Sequence, residues 1–318
     1  MTGAASATPA RSVAVRVPAT SANLGPGFDT LGLALSVYDE LTVTTLAEPG
    51  RLEITVTGEG ADEVPTDASH LVVRAIAHAY AAVGRTMPGI HLSAHNTIPH
   101  GRGMGSSGAA VVAGLLAAKG LLAGDVDFGP DLLLRLATEL EGHPDNVAPA
   151  LFGGLTIAWM DENGPQHKKL LVHRGVSPLV FRPDFTMSTS VARGLAPLQV
   201  PREDAVFNVS RSALLIAALT QSPELLMAAT EDKLHQSYRA SAMPATDQLV
   251  RRLRAAGFAA VVSGAGPSVL VLADGPGRRL EAVEVAAGGD TPWEPLLLAV
   301  DVKGATVREY TEGSTTSS

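Results

Sequence analysis

Apolar positions in this chain change period several times, and each change marks an element. Between residues 33 and 57 they fall at Val37, Leu41, Val43 and Leu46, then at Leu52, Ile54 and Val56, with Glu48-Pro49-Gly50 between the runs. Strand-like patterns on both sides of a Pro-Gly turn predict a β-hairpin. Over 71–83 the spacing becomes helical, with Ser69 available as a cap and Gly84 to end the run. His70 and His78, lone histidines here, read as surface or capping residues. Upstream, residues 13–17 have strand composition, and Pro18 is expected to stop that strand.

Residues 90–94 read as a strand leading through a glycine-rich stretch into 111–118, a helix of small residues that Gly120 can close as its C′ residue. A helix over 131–140 follows Pro130 at its start. Residues 151–160 read as a strand and 161–165 as a polar turn, so a first domain is expected over 11–165 and a second over 166–308. In the second, a strand at 178–181 precedes a loop-like stretch at 189–193 between Pro183 and Pro197. Helices follow over 204–219, 223–230, 234–239 and from Pro244 to Gly257. Two strands within 259–272 are joined by a glycine turn, then come a helix over 276–288 and a strand over 296–302. Residues 1–10 and 312–318 read as disordered tails.

Composition narrows the function. With 46% hydrophobic but only 4% aromatic residues in a chain of 318, the core must be built from Ala, Val and Leu. A formal net charge of −8 argues against a surface for nucleic acid or an anionic membrane, and for a small ligand. Cysteine is absent, which removes disulfides, thiolate metal sites and a thiol nucleophile. Residues 1–10 carry neither a charged n-region nor an apolar h-region, and no apolar run approaches the roughly 18 residues of a membrane span. A soluble, cytoplasmic protein is expected, assembled as a homodimer.

Chemistry concentrates in three stretches. The first, from Ile98 through Pro99, His100, Gly101, Arg102, Gly103, Met104, Gly105, Ser106, Ser107, Gly108 and Ala109, runs straight into the small-residue helix. Glycines free the backbone N–H groups and a helix N-terminus adds partial positive charge, so the stretch reads as a phosphate-binding loop. Ser106 or Ser107 could cap the helix, leaving the other hydroxyl for a metal. No Lys follows the glycines in the Walker A position; Gly103, Gly105 and Gly108 also satisfy G-x-G-x-x-G, so a dinucleotide-binding reading, with Asp125 or Asp127 as its acidic residue, stays open. The second stretch, 19–29, is rich in turn formers, and Asn23 and Asp29 could simply make Asx turns. The third, 139–150, places Glu139, Glu141, His143 and Asp145 within seven residues, which suits a metal or general-base site as well as a charged helix end.

The loop from Pro99 resembles the ATP loop of the galactokinase, homoserine kinase, mevalonate kinase and phosphomevalonate kinase superfamily, usually P-x-x-x-G-L-G-S-S-A. Met104 and Gly108 depart from that form. Residues 18–29, Pro-Ala-Thr-Ser-Ala-Asn-Leu-Gly-Pro-Gly-Phe-Asp, and 141–149, Glu-Gly-His-Pro-Asp-Asn-Val-Ala-Pro, are similar to segments of the homoserine kinases within it, and 264–268 resembles the superfamily's G-x-G-P-[ST] signature. The resemblance implies an α+β architecture, with an N-terminal ribosomal S5 domain 2-like unit and a C-terminal ferredoxin-like unit. It also implies transfer of the γ-phosphoryl of ATP to L-homoserine, a step of threonine biosynthesis.

Residue by residue, the resemblance gives residues 99–109 to ATP, and Ser107 with Glu141 or Glu139 to Mg²⁺. Asn23 and Asp29 fall to the substrate ammonium, Asn146 to the reacting hydroxyl, and Arg193 with Arg239 to the carboxylate; His143 and Gly264 are further substrate contacts. Arg193 and Arg239 would otherwise read as solvated surface arginines. A carboxylate and an amide oxygen suit an ammonium, and the planar fork of Arg suits a carboxylate. No strong base is evident beside Asn146, so the hydroxyl proton is expected to leave late, to phosphate or solvent. A nicotinamide-dependent oxidoreductase, a non-catalytic ligand sensor on the same fold and a sister kinase for mevalonate or a sugar are the alternatives.

Overall fold

A computed structural model describes residues 10–310; the two expected tails lie, but for residue 10, outside the described residues. Strand β1 (Ser12–Ala22) buries Val13, Val15 and Val17 on one face, as period 2 requires. It does not stop at Pro18. Its pairing with β2 (Leu31–Leu46) continues to Ala22, and the missing Pro N–H is absorbed by a register shift between Pro18 and Ala19.

The expected hairpin is not formed. Strand β3 (Leu52–Gly58) leaves β2, and helix α1 (Leu71–Ala82) carries the chain over to β4 (Gly89–Asn96), which slots between them. β4 pairs antiparallel with β2 and parallel with β3. Parallel partners need such a crossover, whereas the Glu48-Pro49-Gly50 turn would have served a hairpin equally well. The cap of α1 is His70, whose Nδ1 accepts from the Val72 N–H at 3.2 Å; Ser69 instead donates to Asp67.

Helix α2 (Ser106–Leu121) is buried on nearly every side because Gly, Ala and Val dominate it. Gly120 does not end it. A Cβ there would meet Val13 and Val307 at 2.8 and 2.9 Å, so this glycine lets the helix lie against the sheet. Helices α3 (Pro130–Glu141) and α4 (Pro144–Phe152) are separated by Gly142, in a left-handed conformation at φ 93°. Strands β5 (Leu155–Asp161) and β6 (Gly164–Leu170) then extend the first sheet, so its ladder continues past the boundary expected at residue 165.

Strand β7 (Val176–Arg182) starts a second sheet. The stretch read as a loop contains a short helix, α5 (Thr189–Gly194), followed by α6 (Arg202–Thr220). Residues 223–230 form a 3-10 turn and then α7 (Leu226–Ala229), with α8 (Gln236–Arg239) and α9 (Pro244–Ala255) beyond. Strands β8 (Ala260–Val262) and β9 (Val269–Asp274), helix α10 (Pro276–Ala287) and β10 (Glu294–Leu297) complete the unit, in strand order β10-β7-β9-β8. Leu179, Phe181, Leu249, Leu253, Phe258 and Val271 fill its core. The strand expected over 296–302 is shorter and starts earlier. Past it Val300 bridges to Leu35, and β11 (Thr306–Tyr310) pairs with β1, so the last described strand lies in the first sheet. The two sheets with their helices make the expected α+β class.

Candidate active site

The glycine loop, read from its sequence as a phosphate site, is held from three sides. Asp39, buried on β2, accepts from the Thr97 and Ile98 N–H groups at 2.7 and 2.9 Å and so fixes the entry to the loop. Burial pushes the Asp39 carboxyl up, and those two N–H bonds oppose the shift. Arg102 donates to the carbonyls of His100, Pro183 and Asp184 at 3.1, 2.9 and 2.9 Å. Its guanidinium ties the loop to the segment after β7, so what it adds to the loop's ligand surface is its backbone.

The third side is the glycine turn between β8 and β9. Ser263 donates its hydroxyl to the Gly103 carbonyl at 2.7 Å, and a Cβ on Gly103 would lie 2.1 Å from the Ser263 carbonyl oxygen. Gly103 has φ 71°, so both conformation and space require glycine. Gly105, at φ 73°, is the N-cap of α2; neither Ser106 nor Ser107 caps the helix as expected. A Cβ on Gly105 would strike Thr20 Oγ1 at 2.0 Å. Thr20 itself donates its N–H to Met104 at 3.0 Å and its hydroxyl to Asn146 Oδ1 at 3.2 Å, linking the loop to the third chemical stretch.

Ser107 Oγ donates to Glu141 Oε2 at 2.8 Å. Glu139 is turned away, against His78 at 2.8 Å, so of the two carboxylates that the sequence offers Glu141 is the one that meets Ser107. Helical phase explains it: two residues along a helix is more than half a turn. Burial pushes the Glu141 carboxyl up; the Ser107 hydroxyl and His143 oppose the shift, and Asp145 adds to it. His143 Nδ1 and Asp145 Oδ1 face each other at 3.4 Å, both buried and without a hydrogen-bond partner.

At the other end of the site Asp29 pairs with Arg193 at 2.8 Å. Arg239, which sequence statistics place on the surface, is 1% exposed. It donates Nε to the Ala192 carbonyl at 3.0 Å and NH1 to His235 Nδ1 at 3.3 Å. Burial lowers its pKa, and Arg193 nearby acts in the same direction. Asn23 and Gly264 act as braces: Asn23 donates to the Gly264 carbonyl at 2.8 Å and accepts from the Asp29 N–H at 3.0 Å, while the Gly264 N–H goes to Ala22. Asn23, Leu24 and Asp29 all hold positive φ, of 70°, 50° and 52°, so the loop is shaped for a purpose beyond joining two strands.

Beside the start of α2 lies a cavity of about 280 Å³ lined by Asp39, Val64, Pro65, His70, His100 and Ser107, among others. Its wall from 64 to 72 was missed by the sequence reading, as were Thr20, Asp39 and His235. Residues 64–69 lie in a connecting loop and carry no motif, and Thr20, Asp39 and, toward Gly25, His235 make contacts distant in sequence.

A glycine loop at a helix N-terminus, a hydroxyl-carboxylate pair beside it and a charged cluster beyond are the parts that a small-molecule phosphotransferase needs. The sequence matches the GHMP kinases N terminal domain over residues 70–154 and the GHMP kinases C terminal domain over 213–287. The chain belongs to the GHMP kinases and is an enzyme of that family. It is 69% identical to a homoserine kinase of Clavibacter michiganensis subsp. michiganensis over 305 residues, 96% of each chain. A homoserine kinase of Leifsonia xyli subsp. xyli is 68% identical over 95% of this chain and 94% of the relative. The crystal structure of homoserine kinase from Cytophaga hutchinsonii superposes with a TM-score of 0.83 at 27% identity, covering 93% of this chain and 97% of that one.

Proposed function

We propose that this kinase transfers the γ-phosphoryl of ATP to the hydroxyl of L-homoserine, giving O-phospho-L-homoserine for threonine biosynthesis. The observation that carries the reading is the proximity of two unlike groups of side chains, close enough that Arg193 acts on the Glu141 carboxyl. One is the loop and Ser107-Glu141 pair at the start of α2; the other is the Asp29, Arg193 and Arg239 set, whose mixed charge is complementary to a zwitterionic amino acid.

Backbone N–H groups of residues 103–107 and the α2 terminus would bind the phosphates, and the neighbouring cavity has room for the base. Ser107 and Glu141 would hold Mg²⁺. They fit it: a half-buried carboxylate whose pKa is raised is short of a cation, and both donors are hard oxygens. No group of three or more His, Cys, Asp or Glu that could hold a metal occurs among the described residues, so water and phosphate would complete the shell. When bound, Mg²⁺ neutralises charge on the phosphoryl oxygens. Asn146, steadied by Thr20, would orient the acceptor hydroxyl with its amide, and His143 would close the site beside it. Asp29 would take the ammonium while Arg193 and Arg239 take the carboxylate, exchanging the internal Asp29-Arg193 pair for contacts of the same kind.

The test is ADP release from ATP and Mg²⁺ with homoserine, mevalonate, galactose and serine offered separately. Strong stimulation by homoserine alone supports the reading, and equal stimulation by mevalonate overturns it. A cytoplasmic location and a homodimer belong to the same proposal; sedimentation velocity measures the second. Among the described residues no helix is long and apolar enough to cross a membrane.

A further inference from the structure

Behind the carboxylate end of the charged cluster lies a buried polar chain that the reaction does not itself use. His235 is 0% exposed, and its Nε2 lies 2.8 Å from the Gly25 carbonyl oxygen. A carbonyl only accepts, so Nε2 carries the ring proton and Nδ1 is left as an acceptor. That lone pair meets Arg239 NH1 at 3.3 Å. Arg239 Nε reaches Ala192, the residue before Arg193, and the Phe28 ring stacks on His235 with centroids 4.9 Å apart while lying 5.2 Å from the Arg239 guanidinium carbon.

One imidazole thus joins the loop that carries Asp29 to the helix that carries Arg239, and through Arg239 to the helix that carries Arg193. Asp232 stands 3.7 Å from Nε2, but its carboxylate already accepts from the N–H groups of Leu234, His235 and Gln236, so it shapes the turn before α8. The charged groups acting on the ring are Asp232, Arg239 and Asp29. Burial, the largest influence, holds the imidazole below its ordinary pKa, and Arg239 acts the same way. A second ring proton would set N–H against N–H at Arg239.

We infer that His235 is a positioning residue for substrate recognition: through the Nδ1 lone pair it aims the Arg239 guanidinium at the substrate carboxylate, while the Nε2–H bond to the Gly25 carbonyl fixes the tautomer that leaves that lone pair free. A buried arginine grips a carboxylate with two parallel bonds only if its plane is fixed; the guanidinium is rigid, so with Nε on Ala192 alone it can pivot as a whole about that contact, and the NH1 bond to His235 removes the pivot. The inference rests on the homoserine reading, which supplies the carboxylate.

Two amide replacements separate the two ring nitrogens. Asparagine at 235 places an oxygen near the position of Nδ1 and keeps the acceptor for Arg239; glutamine places its amide near Nε2 and keeps the Gly25 bond only. The expected result is that His235→Gln raises the KM for homoserine about tenfold or more with kcat and the KM for ATP little changed. His235→Asn should restore the KM to within about threefold of the parent. A KM that rises equally in both variants, or a change seen only in Tm or in the KM for ATP, overturns the inference. In the parent protein, 15N chemical shifts of the His235 ring must show Nε2 protonated and Nδ1 bare at neutral pH; the opposite tautomer overturns it without any variant having to fold. A parent enzyme that turns over no homoserine overturns the substrate reading instead, and this inference with it.

Discussion

Replacing Gly103 with alanine tests whether the glycine turn at 263–266 braces the phosphate loop. The new Cβ would lie 2.1 Å from the Ser263 carbonyl oxygen and 2.9 Å from that of Gly266. An ordinary carbon–oxygen contact is about 3.3 Å, so loop and turn must part by roughly 1 Å. Holding alanine at φ 71° adds about 1–2 kcal/mol of strain. A displacement of about 1 Å near reacting groups costs on the order of 10²-fold in rate. The matched control is Gly108→Ala, five residues on. There the nearest atoms to a Cβ are Asn146 Cβ at 3.4 Å and Val147 Cγ1 at 3.5 Å, which is ordinary contact, and removing a helical glycine should stabilise by about 0.5–1 kcal/mol. Steady-state kinetics and thermal melts by circular dichroism measure both effects. Gly103→Ala should lower kcat about 10²-fold and depress Tm, while Gly108→Ala keeps its kcat and gains about 1–4 °C. Parent-like kcat in Gly103→Ala would refute the brace, and equal damage in both variants would refute the contact argument.

Ser107→Ala should lower kcat far more than it raises the KM for homoserine, because the charge held there is largest in the transition state; an unchanged kcat removes Ser107 from the metal site. Glu141→Gln should abolish most turnover and Glu139→Gln should leave it near parental, since only Glu141 meets Ser107; the reverse order in a paired assay contradicts the assignment. Glu141 also predicts a pH effect in the ligand-free protein. Its folded carboxyl is raised above the ordinary value of 4.5, so its contribution to stability is present below that value and is lost as pH rises through the folded pKa. The Tm of Glu141→Gln relative to the parent should therefore climb from pH 4 to pH 8, and a flat difference would show that the parent carboxylate is not desolvated.

Local chemistry was legible where the chain itself supplies it. The run from Gly103 to Gly108 and the helix behind it are contiguous, so composition alone exposes a glycine loop at a helix start; the helices over 71–83, 131–140 and 276–288 were legible because their apolar period is complete within the segment. Pairing was not legible in the same way. Nothing in residues 33–57 shows that β4 will insert between β2 and β3, because the pattern of a strand is the same whichever neighbour it takes. Arg239 read as a surface residue because its Nε acceptor, Ala192, lies 47 residues away and because burial depends on the fold, whereas its contact with His235, one helical turn back, is local. The choice between Glu139 and Glu141 needed the phase of α3 against α2. Resemblance to homoserine kinases named the candidate site residues, but not that Asn23 and Gly264 spend their hydrogen bonds on each other and on the loop.

The proposed function requires that one charged cluster read both charged ends of homoserine while the glycine loop delivers phosphate to its hydroxyl. Its most direct test is kcat/KM for homoserine, 4-hydroxybutanoate and 3-aminopropan-1-ol, each measured with the parent and with Arg239→Leu. The two truncated alcohols lack the ammonium and the carboxylate respectively, and each should lose about 10²-fold or more with the parent. Arg239→Leu should cost homoserine and 4-hydroxybutanoate on the order of 30-fold or more, the equivalent of about 2 kcal/mol or greater, and leave 3-aminopropan-1-ol nearly unchanged. An equal loss for all three alcohols would contradict this requirement, because Arg239 would then act on something other than the carboxylate.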